Sequence, residues 1–323
     1  MARRGLWILH FVLAVLIWPG AARPAEPNWP SSLIIGTAAP GGTYAVYGEG
    51  LAKILTRELG LPVTTRTTEG PAENIALLEA GDIQLAFVTM GVALQAWNGS
   101  GAWTGGRQLR SMRVLFPMYE TVFQLAVPKS SPIASVADLN GKRVGVGPQG
   151  GTTSVYAPEL FKALKVNATF SNGEWADLVK QVQGQSLDAL LVAGGAPFPA
   201  LLELEPQGIR YLTLTPQQVT DVRLALPELA PATIAPGVYP SLPKDYRTVG
   251  VYNFAVARSD LPENLAYAIV DAVFANRDEL AEAHPAAAET IPTNFTRNTF
   301  LPFHGGASRW YSKNAVTGIV HGD

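Results

Sequence analysis

The sequence predicts an α/β protein made of two similar lobes, and three observations indicate this class. Apolar runs typical of β-strands alternate along the chain with segments of helical periodicity, an order that favours a parallel sheet. Residues 41–55 recur as residues 150–164 at a constant offset. Two extended apolar segments, 122–127 and 249–257, interrupt the alternation of strands and helices. Together these features predict two α/β units joined by a pair of crossing strands.

The first unit follows from periodicity and from its start and stop residues. We predict strands at 33–37, 63–68 and 83–88, with helices at 44–59 and 72–80 between them. Tyr47, Leu51 and Ile54 fall on one face of the first helix, and Pro71 and Gly81 bracket the second. Strand, helix and strand in this order indicate a parallel sheet.

The second unit repeats the first. The positions identical between the copies are Gly41, Gly42, Thr43, Val46, Tyr47, Leu51, Lys53 and Leu55, which correspond to Gly150, Gly151, Thr152, Val155, Tyr156, Leu160, Lys162 and Leu164. A solenoid would need more copies. Two copies predict two lobes, each with a Gly-Gly-Thr loop at the carboxyl end of its first strand, where open α/β sheets bind ligands.

The crossing segments set the predicted lobe boundaries. Lobe one would comprise residues 27–120 together with 253–323, and lobe two, residues 121–252, would be inserted between them. A split first lobe explains why the chain crosses between lobes twice.

The first residues predict export. Arg3 and Arg4 precede an apolar run at 6–18, and small residues follow at 20–22. This order is typical of a secretory signal peptide, which we assign to residues 1–22. The run is shorter than the roughly 20 apolar residues that cross a bilayer as a helix. We therefore expect a mature protein outside the cytoplasm.

Composition excludes several classes of partner and chemistry. The chain has 323 residues and is 47% hydrophobic, which suits two domains of ordinary size. It has no cysteine, which excludes disulfides and thiolate nucleophiles. The formal net charge is −2 without a basic block, so we expect no nucleic-acid partner.

Catalytic constellations are scarce. The histidines beyond the leader, His284, His304 and His321, have neither metal-ligand spacing nor a nucleophile motif nearby. We therefore expect no catalytic residue, no metal and no cofactor. An enzyme on the same fold remains a second hypothesis.

The loop at 36–44 contains the candidate binding chemistry. Its glycines let backbone amides face inward, Thr43 can cap the following helix, and the helix dipole favours an anion. The loop at 147–154 repeats this arrangement with the hydroxyls of Thr152, Thr153 and Ser154. A carboxylate could thus be bound from both lobes, although ordinary strand-to-helix turns with good caps explain the same residues equally well.

A nucleotide-binding alternative rests on Gly145, Gly147 and Gly150, which have the spacing G-x-G-x-x-G after a strand. Pro148 lies inside this loop, and the next strand, at 168–171, does not end in the acidic residue that would bind a ribose. We interpret the spacing as coincidental.

These loops also carry a family resemblance. The sequence resembles the TAXI family of substrate-binding proteins, which serve tripartite ATP-independent periplasmic (TRAP) transporters. The matching stretches are residues 35–44, 73–88, 135–147, 150–153, 236–239 and 302–307. They follow one another in order along nearly the whole mature chain.

The resemblance implies a type II periplasmic-binding-protein fold whose lobes close over a small organic anion and deliver it to TRAP permease subunits in the membrane. It also implies a periplasmic location, and we expect a monomer. The predicted ligand-binding residues are Ala38, Ala39, Gly42, Thr43, Tyr44, Asn74, Thr89, Met90, Gly151, Thr152, Thr153, Ser154, Gly194 and Gly195.

The sequence departs from the family pattern at two places. Thr89, Met90 and Gly91 replace a more polar segment, and Glu69 with Pro71 replaces smaller residues. An amino-acid ligand would need a partner for its ammonium group, so we expect a carboxylate with an apolar or hydroxylated body. A ligand sensor that docks on a signalling receptor is a further hypothesis, which the sequence does not separate from transport.

Overall fold

The computed structural model of the chain describes Glu26 and residues 28–316. The predicted signal peptide at 1–22 lies outside these described residues. Within them, no helix has both the length and the apolar character needed to cross a membrane.

The strands of the described chain form a single curled, mixed sheet. They are β1 (Leu33–Gly36), β2 (Val63–Arg66), β3 (Leu85–Thr89), β4 (Met112–Pro128), β5 (Arg143–Gly145), β6 (Thr169–Ser171), β7 (Ala189–Gly194), β8 (Ile209–Tyr211), β9 (Ala230–Ile234) and β10 (Tyr246–Arg258). Their order is β2-β1-β3-β10-β4-β7-β5-β6, with β8 beside β4 and β9 beside β10.

Helices cover this sheet. They are α1 (Thr43–Leu59), α2 (Pro71–Ala80), α3 (Met90–Asn98), α4 (Thr152–Ala163), α5 (Trp175–Gln183), α6 (Pro199–Leu204), α7 (Pro216–Ala225), α8 (Glu263–Ala275), α9 (Arg277–Ala283) and α10 (Gly305–Lys313). The predicted strands and helices of the first unit are all present, with ends that differ by one or two residues.

Two parallel groups of strands flank a central antiparallel pair. Strands β1, β2 and β3 are parallel, as are β5, β6 and β7, whereas β4 and β10 pair antiparallel between the groups. We call the elements before β4 and after β10 lobe one, and those between β4 and β10 lobe two. Strand β10 pairs with lobe one at 253–257 and with lobe two at 246–250. The two long strands therefore cross between lobes, as the sequence predicts.

Both crossing strands are longer than the apolar runs that predicted them, and β4 begins at Met112 rather than near residue 122. Pro117 and Glu120 interrupt the apolar pattern of β4. The first half of the strand therefore cannot be predicted from hydrophobic periodicity. The pairing of β4 with β10 is irregular at this point, between Tyr252 and Phe254. A proline cannot donate a ladder hydrogen bond, and irregular pairing accommodates it.

Helix α1 shows how the local sequence places the binding loop. Tyr47, Leu51 and Ile54 are at most 1% exposed, and Gly60 ends the helix in the left-handed conformation with φ 67°. The predicted cap by Thr43 is wrong, because the capping position is Gly42 and no side chain caps the helix. Thr43 is the first helical residue, and its hydroxyl instead donates across the cleft to the Gly195 carbonyl at 3.1 Å.

Candidate functional site

A cavity of about 440 Å³, counting its open mouth, lies between the lobes at the carboxyl ends of β1 and β7. Clefts of this kind are the usual ligand sites of open α/β sheets. The residues lining it are Ala38, Ala39, Gly42, Thr43, Tyr44, Glu69, Gly70, Pro71, Tyr119, Thr121, Pro148, Gly151, Thr152, Thr153, Trp175, Ala193, Gly194 and Phe198.

Helix α1 of lobe one and helix α4 of lobe two both begin at this cavity, at Thr43 and Thr152. The first amides of a helix have no partner within it. Those of Thr152 and Thr153 also make no hydrogen bond to other parts of the described chain. Together with the helix dipoles, these amides form a positive environment that requires no cationic side chain.

The threonine hydroxyls of the lining are already engaged within the protein. The Thr153 hydroxyl accepts a hydrogen bond from the Ala193 amide at 2.8 Å, and its own proton is left to donate. The Thr152 and Thr89 hydroxyl oxygens are 3.3 Å apart. These contacts fix the side chains at the beginning of α4 and link it to β3 and β7.

A buried polar network supports the cavity on the crossing strands. The Tyr44 hydroxyl donates to the Asn253 side-chain oxygen at 2.7 Å, and the Asn253 amide donates to the Tyr119 carbonyl at 2.7 Å. The hydroxyl of Thr121 bonds the same asparagine at 3.0 Å. Because Asn253 is fully buried and satisfied, the network holds Tyr44 in one orientation.

Aromatic rings that the sequence argument missed form one wall. Trp175 and Phe198 pack edge to face with ring centroids 5.0 Å apart. Each stands at the beginning of a helix, α5 or α6, just beyond the end of a lobe-two strand. That position was the available signal, since ligands of such sheets bind at strand carboxyl ends. The Trp175 indole N–H makes no hydrogen bond within the described chain, so it can donate to a ligand.

Glu69 is the single ionisable acid or base in the lining, apart from tyrosine hydroxyls. Its exposed carboxylate accepts a hydrogen bond from the Gly150 amide of lobe two at 3.1 Å. The acid therefore lies at the mouth and joins the two lobes. No lysine, arginine or histidine lines the cavity in the described chain.

Several contacts hold the lobes together around the cavity. Besides the bonds of Glu69 and Thr43, the Ala72 amide donates to the Gly150 carbonyl at 3.3 Å, and the Ala200 amide donates to the Gly41 carbonyl at 3.3 Å. These bonds join loops of opposite lobes directly, so the structure has a closed cleft.

The predicted residues divide into two groups. Nine of them line the cavity: Ala38, Ala39, Gly42, Thr43, Tyr44, Gly151, Thr152, Thr153 and Gly194. The others, which lie beside or behind it, are Asn74, Thr89, Met90, Ser154 and Gly195.

The second group has identifiable structural contacts. Asn74 is fully buried, and its amide donates to the carbonyls of Thr37 at 2.8 Å and Phe87 at 2.9 Å. Met90 lines a separate groove behind the crossing strands, and Ser154 accepts from the Asn172 amide at 2.7 Å.

The donor set does not suit a metal. Among residues 28–316, no group of three or more histidine, cysteine, aspartate or glutamate side chains is arranged to bind a metal ion. What the cavity offers instead is an excess of uncharged hydrogen-bond donors beside apolar and aromatic surface.

This architecture is the periplasmic-binding-protein fold, as comparison with solved structures shows. MatC (Rpa3494) from Rhodopseudomonas palustris with bound malate is similar at a TM-score of 0.58 and 14% identity, covering 90% of this chain and 100% of that chain. R. palustris Rpa4515 with adipate is similar at a TM-score of 0.56 and 18% identity, covering 90% of this chain and 97% of that chain. The periplasmic binding protein BugD is similar at a TM-score of 0.58 and 13% identity, covering 90% of this chain and 99% of that chain.

The sequence itself identifies the family. Residues 35–314 match the model of the NMT1-like family. Since this match spans most of the chain, the protein belongs to the NMT1-like family.

Proposed function

We propose that this chain is an exported solute-binding protein that captures a small carboxylate between its lobes and delivers it to a TRAP-type permease. One observation carries this function: the beginnings of α1 and α4 meet from opposite lobes at one cavity without a cationic side chain in its described lining. Amides at helix N-termini stabilise an anion, and each hydrogen bond to a charged group contributes about 1.5–3 kcal/mol.

The fold neighbours support a small organic acid as the solute. MatC carries malate and Rpa4515 carries adipate in their solved structures. Both solutes are short organic acids that carry carboxylate groups.

We propose further that the solute lacks an ammonium group. The lining supplies donors and aromatic surface, whereas its one acidic side chain, Glu69, already accepts a hydrogen bond from Gly150. A buried ammonium without acceptors is costly. The part of the solute away from its carboxylate would pack between Trp175 and Pro71, and we propose that this part is apolar or hydroxylated.

Transport needs two movable lobes, and the pairing of the crossing strands supports the proposed boundaries near 120 and 252. Strand β10 changes partner from β9 to β3 between residues 250 and 253. We propose that the lobes rotate about this point, in a monomer located in the periplasm after removal of residues 1–22. The TAXI resemblance is what links this receptor to a TRAP permease.

We propose binding rather than catalysis. Acid–base chemistry needs a proton donor or acceptor positioned at the reacting group. The described lining offers one carboxylate, at the mouth, and no histidine, lysine or arginine.

A thermal-shift screen of the mature protein tests this function. Malate, adipate, 2-oxoglutarate and benzoate are compared with the diamines putrescine and cadaverine at equal concentration. We expect at least one carboxylate to raise the melting temperature, because a ligand at a hundredfold excess over its Kd stabilises the folded state by about 2.7 kcal/mol. Stabilisation by the diamines alone would show that the cavity selects cations.

A further inference from the structure

Among the residues that line the cavity, Tyr119 alone has a side-chain hydroxyl that is buried without a hydrogen-bond partner in the described chain. Its residue is fully buried on the crossing strand β4. Buried tyrosine hydroxyls normally find a partner, and leaving a buried donor unpaired is unfavourable. The protein itself therefore does not account for this hydroxyl.

Neighbouring tyrosines show the normal arrangement. The Tyr44 hydroxyl bonds Asn253 at 2.7 Å, and the Tyr47 hydroxyl bonds the Thr290 hydroxyl at 2.9 Å. Both rings pack against Tyr119, with centroids 6.3 Å and 5.6 Å from its ring. Tyr119 is thus held rigidly in a fully packed aromatic cluster, and only its hydroxyl is unsatisfied.

Burial raises the pKa of Tyr119 well above its usual value. The hydroxyl is therefore protonated at neutral pH, and it can act as a donor. The hydroxyl proton is matched by an acceptor atom such as a carbonyl, hydroxyl or carboxylate oxygen.

We propose that the Tyr119 hydroxyl is a specificity-determining donor, which binds a second acceptor group on the captured solute. This inference rests on the proposed carboxylate function and extends it. The carboxylate lies at the amides of α1 and α4, and the acceptor group bonds Tyr119. Solutes with both groups then bind more tightly than those with a carboxylate alone, because an apolar end leaves the donor unpaired.

Matched pairs of ligands test this inference by calorimetric titration. The pairs are adipate with hexanoate, succinate with butyrate, and 4-hydroxybenzoate with benzoate; in each, the second member lacks the second acceptor. For the parent protein we expect one acceptor-bearing member to bind about 10- to 100-fold more tightly than its partner. In Tyr119→Phe we expect that ratio to fall to within about threefold.

Tyr47→Phe is the matched control, since it removes a buried hydroxyl that has a partner and lies outside the lining. We expect Tyr47→Phe to lower the melting temperature of the ligand-free protein and to keep the affinity ratio. Tyr119→Phe should leave that melting temperature unchanged or raise it, because no internal hydrogen bond is lost.

Each result has one meaning. If no carboxylate binds the parent, the proposed function is wrong, and the role of Tyr119 is wrong with it. If carboxylates bind but the ratio is the same in Tyr119→Phe, only the role of Tyr119 is wrong, as it would be if an ordered water satisfied the hydroxyl. A loss of ligand-free stability as large as that of Tyr47→Phe would also overturn it.

Discussion

Individual side chains in the cleft serve both the fold and the proposed site, and Thr153 is the clearest case. Its hydroxyl accepts from the Ala193 amide of β7 while lining the cavity. The same atom thus anchors α4 to the sheet and, in the proposed site, has a proton left to donate to the solute. Replacing it should therefore affect stability.

We predict that Thr153→Val lowers the free energy of unfolding by about 1–3 kcal/mol, because it leaves the Ala193 amide without an acceptor. Thr153→Ser keeps the hydroxyl and should lose less than half as much. Urea denaturation of the ligand-free variants measures both changes. A larger loss in Thr153→Ser than in Thr153→Val would mean that the methyl group, and not the hydrogen bond, stabilises the site.

Glu69 decides how the cleft treats an amino acid. We predict that 2-oxoglutarate binds more tightly than glutamate, because the Glu69 carboxylate is engaged with Gly150 and the ammonium of glutamate finds no other acid in the lining. Calorimetric titration compares the two ligands. Tighter binding of glutamate that disappears in Glu69→Gln would make Glu69 the ammonium partner instead.

Among the elements, the crossing strand β4 carries an ionisable residue, Glu120, on the side away from the cavity. The Glu120 amide donates to the Glu289 carboxylate at 2.9 Å. Burial and the Glu289 charge raise the pKa of Glu120 to about 7, opposed by Arg297. Burial also raises the pKa of Glu289. This pair lies where β4 crosses between the lobes.

We predict that the contribution of Glu120 to stability falls as the pH rises from about 4.5 to 7, whereas burial lowers the pKa values of His284 and His304, which therefore act in the opposite direction. The folded-state pKa of Glu120 lies above its ordinary value of 4.5, so in this range its carboxyl binds more protons in the folded protein than in the unfolded chain. The stabilisation is complete below about pH 4.5 and is lost as the pH passes the folded-state pKa. Melting temperatures across this range measure it.

Glu120→Gln keeps the shape of the side chain and removes its titration, so its melting temperature relative to that of the parent should rise as the pH increases from about 4.5 to 7. Glu159→Gln, on the exposed surface of α4, is the control and should keep the parent profile. A Glu120→Gln profile identical to that of the parent would assign the dependence to other groups.

For the whole molecule, closure of the lobes is the central expectation. Direct bonds from Glu69, Thr43 and Ala200 join the lobes around the cavity, and hinge closure is the usual response of such architecture to a ligand. We predict that the carboxylate with the largest thermal shift lowers the radius of gyration in small-angle scattering. An unchanged radius would count against a movable cleft.

Gly195 allows a specific test of closure. A Cβ at this position would lie 2.7 Å from the Ala286 side chain and 3.1 Å from that of Thr43, both in lobe one. We predict that Gly195→Ala acts as a wedge and weakens ligand binding about 5- to 150-fold, corresponding to about 1–3 kcal/mol of overpacking. Scattering should show no compaction by the ligand.

Gly173→Ala is the control for the wedge, because its Cβ would make only ordinary contacts of 3.6 Å with Leu178 within lobe two. It should bind and compact like the parent. If Gly195→Ala behaved in the same way, the cleft would have to bind without full closure.

Much of this organisation follows from local pattern. Hydrophobic periodicity and the start and stop residues predicted the strands and helices around 33–88. The repeat at 41–55 and 150–164 indicated two equivalent glycine–threonine loops, one in each lobe. Tyr47 and Tyr156 occupy equivalent positions of the repeat, and both are buried with hydroxyls that bond Thr290 and Glu228.

Other features depend on contacts between distant parts of the chain. The Asn74 side chain can donate hydrogen bonds to a ligand. In the structure, however, its amide donates to buried carbonyls of β3 and of the loop after β1. Threonine is a residue type that commonly caps helices. In the structure, however, the Thr43 hydroxyl donates to a carbonyl of the opposite lobe. Trp175 and Phe198 reach the cavity because lobe two folds over lobe one.

The sequence alone thus determined the fold class, the two crossing strands and the glycine–threonine loops, because periodicity, glycine and proline act over a few residues. Only the tertiary structure decided which of the predicted side chains line the cleft and that Tyr119 lacks a partner. The physical reason is that a polar group binds whichever donor or acceptor packing brings within about 3 Å. For Thr43, that partner is the Gly195 carbonyl, 152 residues further along the chain.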